Sequence, residues 1–291
     1  MQSSAVMQPL YQNYTIAEDQ ERTNLHYDRS ARFFQTITGG EWHVYSCNLW
    51  DNAQTVTESQ RAKLDLFAKL VDLQPGQSIL DVGCGWGGPL TYLCKTYDVS
   101  GIGITLSPSQ QRAAQERADR HGADVEIVLT HWRDFTTDRH FDLIYSDEVL
   151  VHISDLVGLF GKLHGLLTPD GSMLHKELHL THSDYATAMT RGSSHMNDVF
   201  GCTGNYRSLA EELSFLMAAG LCCRGVHTID GAQYRKTIDG WIANMTTNRD
   251  KLIELEGREF YDRILKYLKI SRMFVVSPAI SIDIVHSQAK P

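Results

Sequence analysis

Apolar positions between residues 58 and 73 recur at helical spacing, with Leu64, Leu66, Phe67, Leu70 and Val71 forming one stripe. Pro75 and Gly76 stop that helix. The pattern then changes. Ser78-Ile79-Leu80-Asp81-Val82 is a short apolar run that leads directly into Gly83-Cys84-Gly85-Trp86-Gly87-Gly88. Helices and strands alternate from there. The spacing predicts helices over 89–96, Pro108–His121 and 155–167, the second capped by Ser107. It predicts strands over Val99–Thr105, Val125–Leu129, Phe141–Tyr145 and Ser172–Leu178, the last entered through the turn Pro169-Asp170-Gly171. Such alternation implies βαβ units, and so a mostly parallel sheet with helices on both faces.

The two ends read differently. The first two dozen residues are polar, with few periodic apolar positions, and suit a loose arm or a short helix. Residues 181–206 are polar, His-rich and Gly-containing, as in an insertion. Leu209–Leu221 is an amphipathic helix, Cys222–Ile229 a strand, 232–270 a long helical stretch, and Ile280–His286 a last edge strand. The expected architecture is an α/β fold with a seven-stranded sheet spanning 58–291. A helical arm or lid, 1–57, precedes it, and cap segments within 180–207 and 232–275 cover the substrate.

Composition narrows the function. Hydrophobic residues make up 42% and charged residues 21%, as in an ordinary globular enzyme. A net charge of -8 argues against a nucleic-acid partner, because phosphates need a basic face. No apolar run reaches the length of about 18 residues that membrane insertion needs. The start, MQSSAVMQPLYQNY, lacks the basic-then-apolar pattern of a signal peptide, so the expected compartment is cytoplasmic. Cys47, Cys84, Cys94, Cys202, Cys222 and Cys223 form no CxxC pair, which points away from zinc and from disulfides. His175, His179, His182 and His195 reproduce no ligand spacing and are expected to be exposed and non-ligating, so no metal is predicted.

The glycine turn carries the chemistry. Gly83, Gly85 and Gly88 satisfy GxGxxG, a pattern shared by dinucleotide sites. A dinucleotide also wants an acid at the end of the second strand to hold the ribose, and Gly103-Ile104-Thr105-Leu106-Ser107 supplies none. Asp81, two residues before Gly83, instead completes the acidic-x-Gly-x-Gly pattern of S-adenosylmethionine (SAM) enzymes. The predicted cofactor is therefore SAM, with S-adenosylhomocysteine (SAH) as product.

Longer motifs give a family resemblance over nearly the whole chain. His26-Tyr27-Asp28 with Phe33-Phe34, Tyr45-Ser46-Cys47, Gln60-Arg61-Ala62-Lys63-Leu64-Asp65-Leu66, and Leu80–Gly87 all contribute. So do Gly103–Ser107 with Gln110, and Tyr261-Asp262-Arg263 with Lys266-Tyr267-Leu268. Together they resemble the cyclopropane fatty acid synthase family, including the mycolic acid cyclopropane synthases. The resemblance implies a class I SAM-methyltransferase, Rossmann-like fold. It places Gly83 and Gly85 along the methionine and ribose, with Asp81 in the same motif. Thr105, Leu106 and Gln110 would meet the ribose and adenine, Trp132 would stack on the adenine, and Tyr45 and Ser46 would close over the methionine end.

Methyl transfer from a sulfonium is an in-line displacement that chiefly requires a positioned nucleophile. An alkene nucleophile would leave a carbocation that needs an apolar, aromatic lining and one base. Tyr234, Tyr206, Phe200, Trp241 and Phe274 are candidate cap contributors. The resemblance implies bicarbonate as the base, held by the YSC segment, an EH pair, an LHxI segment and a tyrosine. Cys47, His175 and Tyr234 match three of these. Val151 replaces the EH glutamate and Glu177 replaces the LHxI isoleucine, which makes bicarbonate doubtful. The expected base is then Glu177, oriented by His175 and Tyr234, with Glu148 and Asp147 as fallbacks.

The expected activity is methylation of an alkene carbon in an apolar small molecule, a lipid chain or a terpenoid of specialised metabolism, by way of a carbocation that is cyclised or deprotonated. N- or O-methylation of a small natural product is the alternative, as is a plain cyclopropane fatty acid synthase. A SAM-binding module without catalysis is a third reading. The polar arm could exchange between subunits of a homo-oligomer.

Overall fold

The computed structural model describes residues 14–182 and 205–290 of the chain. Most of the expected cap segment 180–207, with Phe200, His195 and Cys202, lies outside the described residues, as does most of the polar N-terminus.

Seven strands form one sheet: β1 (Ser78–Val82), β2 (Ser100–Thr105), β3 (Val125–Leu129), β4 (Phe141–Asp147), β5 (Leu167–Leu180), β6 (Leu221–Ile229) and β7 (Ile280–Ala289). Their order is β3-β2-β1-β4-β5-β7-β6. The first five pair in parallel, as the βαβ alternation implies. The sequence-predicted turn at Pro169-Asp170-Gly171 is absorbed as a bulge, since Phe141 pairs with Leu167 while Leu143 pairs with Ser172.

Ten α-helices surround the sheet among the described residues: α1 (Ile16–Tyr27), α2 (Ala31–Thr38), α3 (Val56–Leu70), α4 (Gly88–Tyr97), α5 (Pro108–His121), α6 (Leu156–His164), α7 (Leu209–Ala218), α8 (Gly231–Thr247), α9 (Arg249–Glu256) and α10 (Arg258–Phe274). Capping chemistry fixes several starts. Thr15 with Glu18, and Thr55 with Glu58, form capping boxes before α1 and α3. Ser107 accepts the Gln110 N–H before α5, as its sequence position predicts.

Strand alternation divides the interior into two cores. Ile79, Leu143, Tyr145, Leu174, Ile282 and Ile284 face a large core shared with α2–α5 and α8–α10. Leu80, Ile144, Met173 and Val285 face a second core with Leu159 and Phe160 of α6 and Leu216 of α7. This division decides which polar side chains of β5 can meet.

Two expectations are corrected. Ile280–His286 is no edge: β7 runs antiparallel between β5 and β6, and Ile282, Ile284 and Val285 are buried. The alternating pattern described a strand but could not say where in the sheet it sits. The helical stretch 232–270 is three helices, broken at Asn248 and at Gly257, whose φ of +83° a helix cannot continue.

Candidate active site

A cavity crosses the C-terminal ends of β3, β2, β1 and β4, the position where open α/β sheets bind ligands. The turn after β1 forms its floor. Ile104 O accepts from both Gly83 N and Cys84 N at 3.0 Å, which ties the turn to β2. Gly83 has φ +80°, and a Cβ there would come within 2.7 Å of Val149 Cγ2. Glycine is thus demanded both by conformation and by space. Asp81 lies beside the turn and accepts from the Tyr145 hydroxyl. Burial holds its carboxyl up at about 8, although that hydrogen bond acts in the opposite direction.

Toward β3, Thr105 Oγ1 donates to Gln110 Oε1 at 2.7 Å. Leu106, Thr130, His131 and Trp132 continue the wall. The Arg133 guanidinium sits 4.9 Å from the Trp132 ring centroid. Helix α1 contributes Asp19, Thr23 and Tyr27 above these groups. All nine residues expected at the cofactor, Tyr45, Ser46, Asp81, Gly83, Gly85, Thr105, Leu106, Gln110 and Trp132, line this one cavity.

The β4 end is charged and aromatic together. Asp147 Oδ2 receives Lys63 Nζ at 2.5 Å and Ser46 Oγ at 2.6 Å, while Lys176 Nζ reaches Asp147 Oδ1 at 2.9 Å. Burial works against the Asp147 carboxylate, but Lys176 and Lys63 outweigh it and hold it down at about 2. Glu148 Oε1 takes Lys176 Nζ at 2.5 Å and the Cys47 N–H at 2.9 Å. The Tyr234 hydroxyl donates to Glu148 Oε2. Burial lowers Lys176, yet the two carboxylates more than reverse this and keep it above an ordinary lysine. Burial also raises the Tyr234 hydroxyl, so it stays a neutral donor. Glu148 itself adopts φ +61°, a conformation that costs a non-glycine residue about 1–3 kcal/mol.

Around this cluster Tyr45 stacks on His26 at 6.0 Å between centroids and touches Trp241 at 5.0 Å, Phe34 at 5.2 Å and Tyr27 at 6.4 Å. Burial lowers both histidines nearby, His152 to about 4, so each is neutral near pH 7.

The family model described as mycolic acid cyclopropane synthetase matches residues 15–283. The chain belongs to this family. Cyclopropane mycolic acid synthase 2 of Mycobacterium leprae is 30% identical over 274 residues, covering 85% of this chain and 87% of the relative. Mycolic acid cyclopropane synthase CmaA1, solved with SAH and CTAB, superposes with a TM-score of 0.85 at 27% identity, covering 92% of this chain and 98% of its own. Coclaurine N-methyltransferase, at 19% identity and a TM-score of 0.79 over 96% of this chain and 84% of its own, shares the fold. The protein is therefore a SAM-dependent methyltransferase of the cyclopropane synthase type. No helix among the described residues is long and apolar enough to cross a membrane.

Within the cyclopropane synthase fold, the four residues expected at the base do not come together. Tyr234 and Cys47 belong to the large core, next to the cavity's β4 end. Glu177 and His175 share the opposite face of β5, because residues two apart in a strand point the same way. Glu177 accepts the Leu150 N–H at 2.6 Å and is only 2% exposed. Burial first, then the neighbouring Glu212, raises its carboxyl to about 8. The expected arrangement, Glu177 oriented by both His175 and Tyr234, therefore does not occur.

Nor are the histidines of this region uniformly exposed. His175 and His179 are buried and share Glu212 Oε1 at 2.6 and 3.0 Å, and His179 Nδ1 lies 3.0 Å from Asp283. Burial lowers His179, but Asp283 and Glu212 outweigh it and raise the ring to about 10. His182 is exposed, as expected.

The bicarbonate implied by the resemblance does not fit here. The Cys47 N–H and the Tyr234 hydroxyl, from two of its expected holders, both donate to the Glu148 carboxylate instead. The Cys47 thiol donates to Asn48 O at 3.4 Å, and burial pushes it up to about 12, so it is no thiolate. Sequence reasoning missed Lys63 and Lys176 altogether. Lys63 carried a signal, since it sits on the apolar face of α3 with Leu64 and Phe67; a lysine at a core position needs a buried partner.

Proposed function

We propose that the protein methylates an alkene carbon of an apolar chain, a lipid tail or a terpenoid. SAM, when bound, supplies an electrophilic methyl group on a positively charged sulfur. Gly83 and Gly85 let the backbone approach its methionine and ribose, Asp81 faces its ammonium group, and Thr105, Leu106, Gln110 and Trp132 hold its adenosine. Helix α1, within the arm 1–57, lies over this cavity through Asp19, Thr23 and Tyr27 and acts as a lid.

The observation that carries the alkene reading is a ring cluster in which Tyr27 and Tyr45 line the cavity and the buried Phe34 and Trp241 pack behind Tyr45. Aromatic faces attract a cation without bonding to it, which suits a carbocation that must be kept from water. His26 and His152, neutral within this environment, add no competing positive charge. Methylation of an amine or hydroxyl needs no such enclosure.

The test is incubation of the purified protein with SAM and a panel of unsaturated fatty acyl chains, prenyl diphosphates, amines and phenols. The expected result is a mass gain of one CH2 on an alkene substrate, with SAH released in equal amount. Methylation confined to the amines or phenols would falsify the reading.

A further inference from the structure

The following rests on the alkene-methylation reading and deepens it. We propose that the Glu148 carboxylate serves as the built-in proton acceptor and counter-charge of the reaction, in place of a free anion. Three observations carry this.

The first is convergence. Cys47 N–H, Lys176 Nζ and the Tyr234 hydroxyl all point at one carboxylate on the cavity wall. Each carboxylate oxygen offers two lone pairs, and Oε2 receives one donor, so it keeps a lone pair for a proton. The side chain remains 11% exposed.

The second is conformation. At φ +61° a glycine would be cheapest, yet the chain places a glutamate there. Its own N–H donates to Lys176 O at 2.8 Å, and its carboxylate is fixed by three donors. Strain of this kind persists where the surroundings over-determine the residue, and such sites gather at functional centres.

The third is charge. Lys63 and Lys176 face Asp147 and Glu148, so the buried cluster is balanced. An added anion would confront two carboxylates whose donors are already taken, and burying unpaired charge is costly.

The alkene π pair bonds the methyl carbon as that carbon's bond to sulfur breaks. Sulfur leaves as a neutral thioether, and the positive charge moves to the neighbouring substrate carbon. A C–H bond beside that carbon, or on the new methyl, then breaks. Its electron pair closes a double bond or a three-membered ring, and its proton passes to Glu148 Oε2. The proton returns to solvent when product leaves.

Glu148→Gly relaxes the backbone and opens a carboxylate-sized gap between the same donors. Turnover of the alkene substrate is measured in carbon-dioxide-free buffer with and without formate or bicarbonate, and anion uptake is read separately by NMR with 13C-bicarbonate. The wild-type protein is expected to ignore bicarbonate in both measurements. Glu148→Gly should lose about 100-fold in turnover, the range of a lost general base. It should bind 13C-bicarbonate, recover activity with small carboxylates, and keep its calorimetric SAM affinity. Glu148→Gln, which fills the gap, should be equally slow and not rescued. Wild-type dependence on bicarbonate, bound 13C-bicarbonate in the wild-type protein, or Glu148→Gly turnover near wild type would each overturn the assignment. The NMR comparison reads the anion site whether or not any alkene is methylated, so failure of the alkene reading is seen separately.

Discussion

Asp81 and Tyr145 are register partners on β1 and β4, and the tyrosine hydroxyl meets the carboxylate at 2.5 Å at the edge of the cofactor cavity. The pair sets both a binding property and a stability property. Tyr145→Phe removes the hydrogen bond that favours the ionised carboxylate while leaving the ring in the core. SAM affinity at pH 7 should weaken by about tenfold, the effect of one hydrogen bond to a charged group. Calorimetric titration of both proteins against SAM checks it, and equal affinities would refute it. For stability the sign is opposite to that of an ordinary salt-bridged acid. Burial raises Asp81 from 3.8 to about 8, so the native state holds a proton that the unfolded chain gives up, and stability falls as pH rises between those values. Asp81→Asn should lessen that fall in denaturant midpoints taken from pH 5 to pH 8.

Lys63 is fully buried with its ammonium on Asp147. Removing it leaves Lys176 alone to balance the Asp147 and Glu148 carboxylates, and one uncompensated buried charge costs roughly 3–5 kcal/mol. Lys63→Met should show that loss in urea unfolding, and Lys63→Met combined with Asp147→Asn should recover part of it. A double variant no more stable than the single one would mean that the pair is not coupled.

His179 bridges Glu212 and Asp283 on the far face of the sheet. Its ring is raised from 6.5 to about 10, so the stabilisation is complete below 6.5 and is lost as pH climbs through 10. Glu212 is held below its ordinary 4.5 despite burial, by His175 and His179, so its contribution fades only on the acid side. The wild-type thermal midpoint should therefore decline from pH 6.5 to pH 10, and His179→Asn should flatten that decline. A slope unchanged by the substitution would remove His179 as its cause.

Much of the fold was legible because the central elements obey a local rule. Ser78–Val82, Val125–Leu129 and Pro108–His121 are bounded in the structure as the periodicity predicts. At the cavity, Asp81, Gly83 and Gly85 were legible because glycines and an acid at fixed spacing leave few alternatives, whereas Tyr45, Ser46, Thr105, Leu106, Gln110 and Trp132 were implied by the family resemblance. Glu177 shows where that stops. Period-two alternation places it with His175 and against Lys176, but the face that meets the cavity is decided by the pairing of Asp147 with Lys176, a contact between strands that local periodicity does not register. Glu148 was considered only as a fallback, because nothing local announced that its backbone would turn left-handed and aim the side chain at Tyr234. The place of β7 was illegible for the same reason: an alternating run says strand, and its neighbours are chosen by the whole molecule.

That place has a temporal consequence. In the sheet, β6 pairs with β7, whose residues 280–289 are added some fifty positions later. A chain emerging from the ribosome can assemble β1 to β5 and their helices, but β6 must wait, unpaired, until the final strand arrives and slides between it and β5. Closure of the sheet thus waits on β7, after the other six described strands have been made.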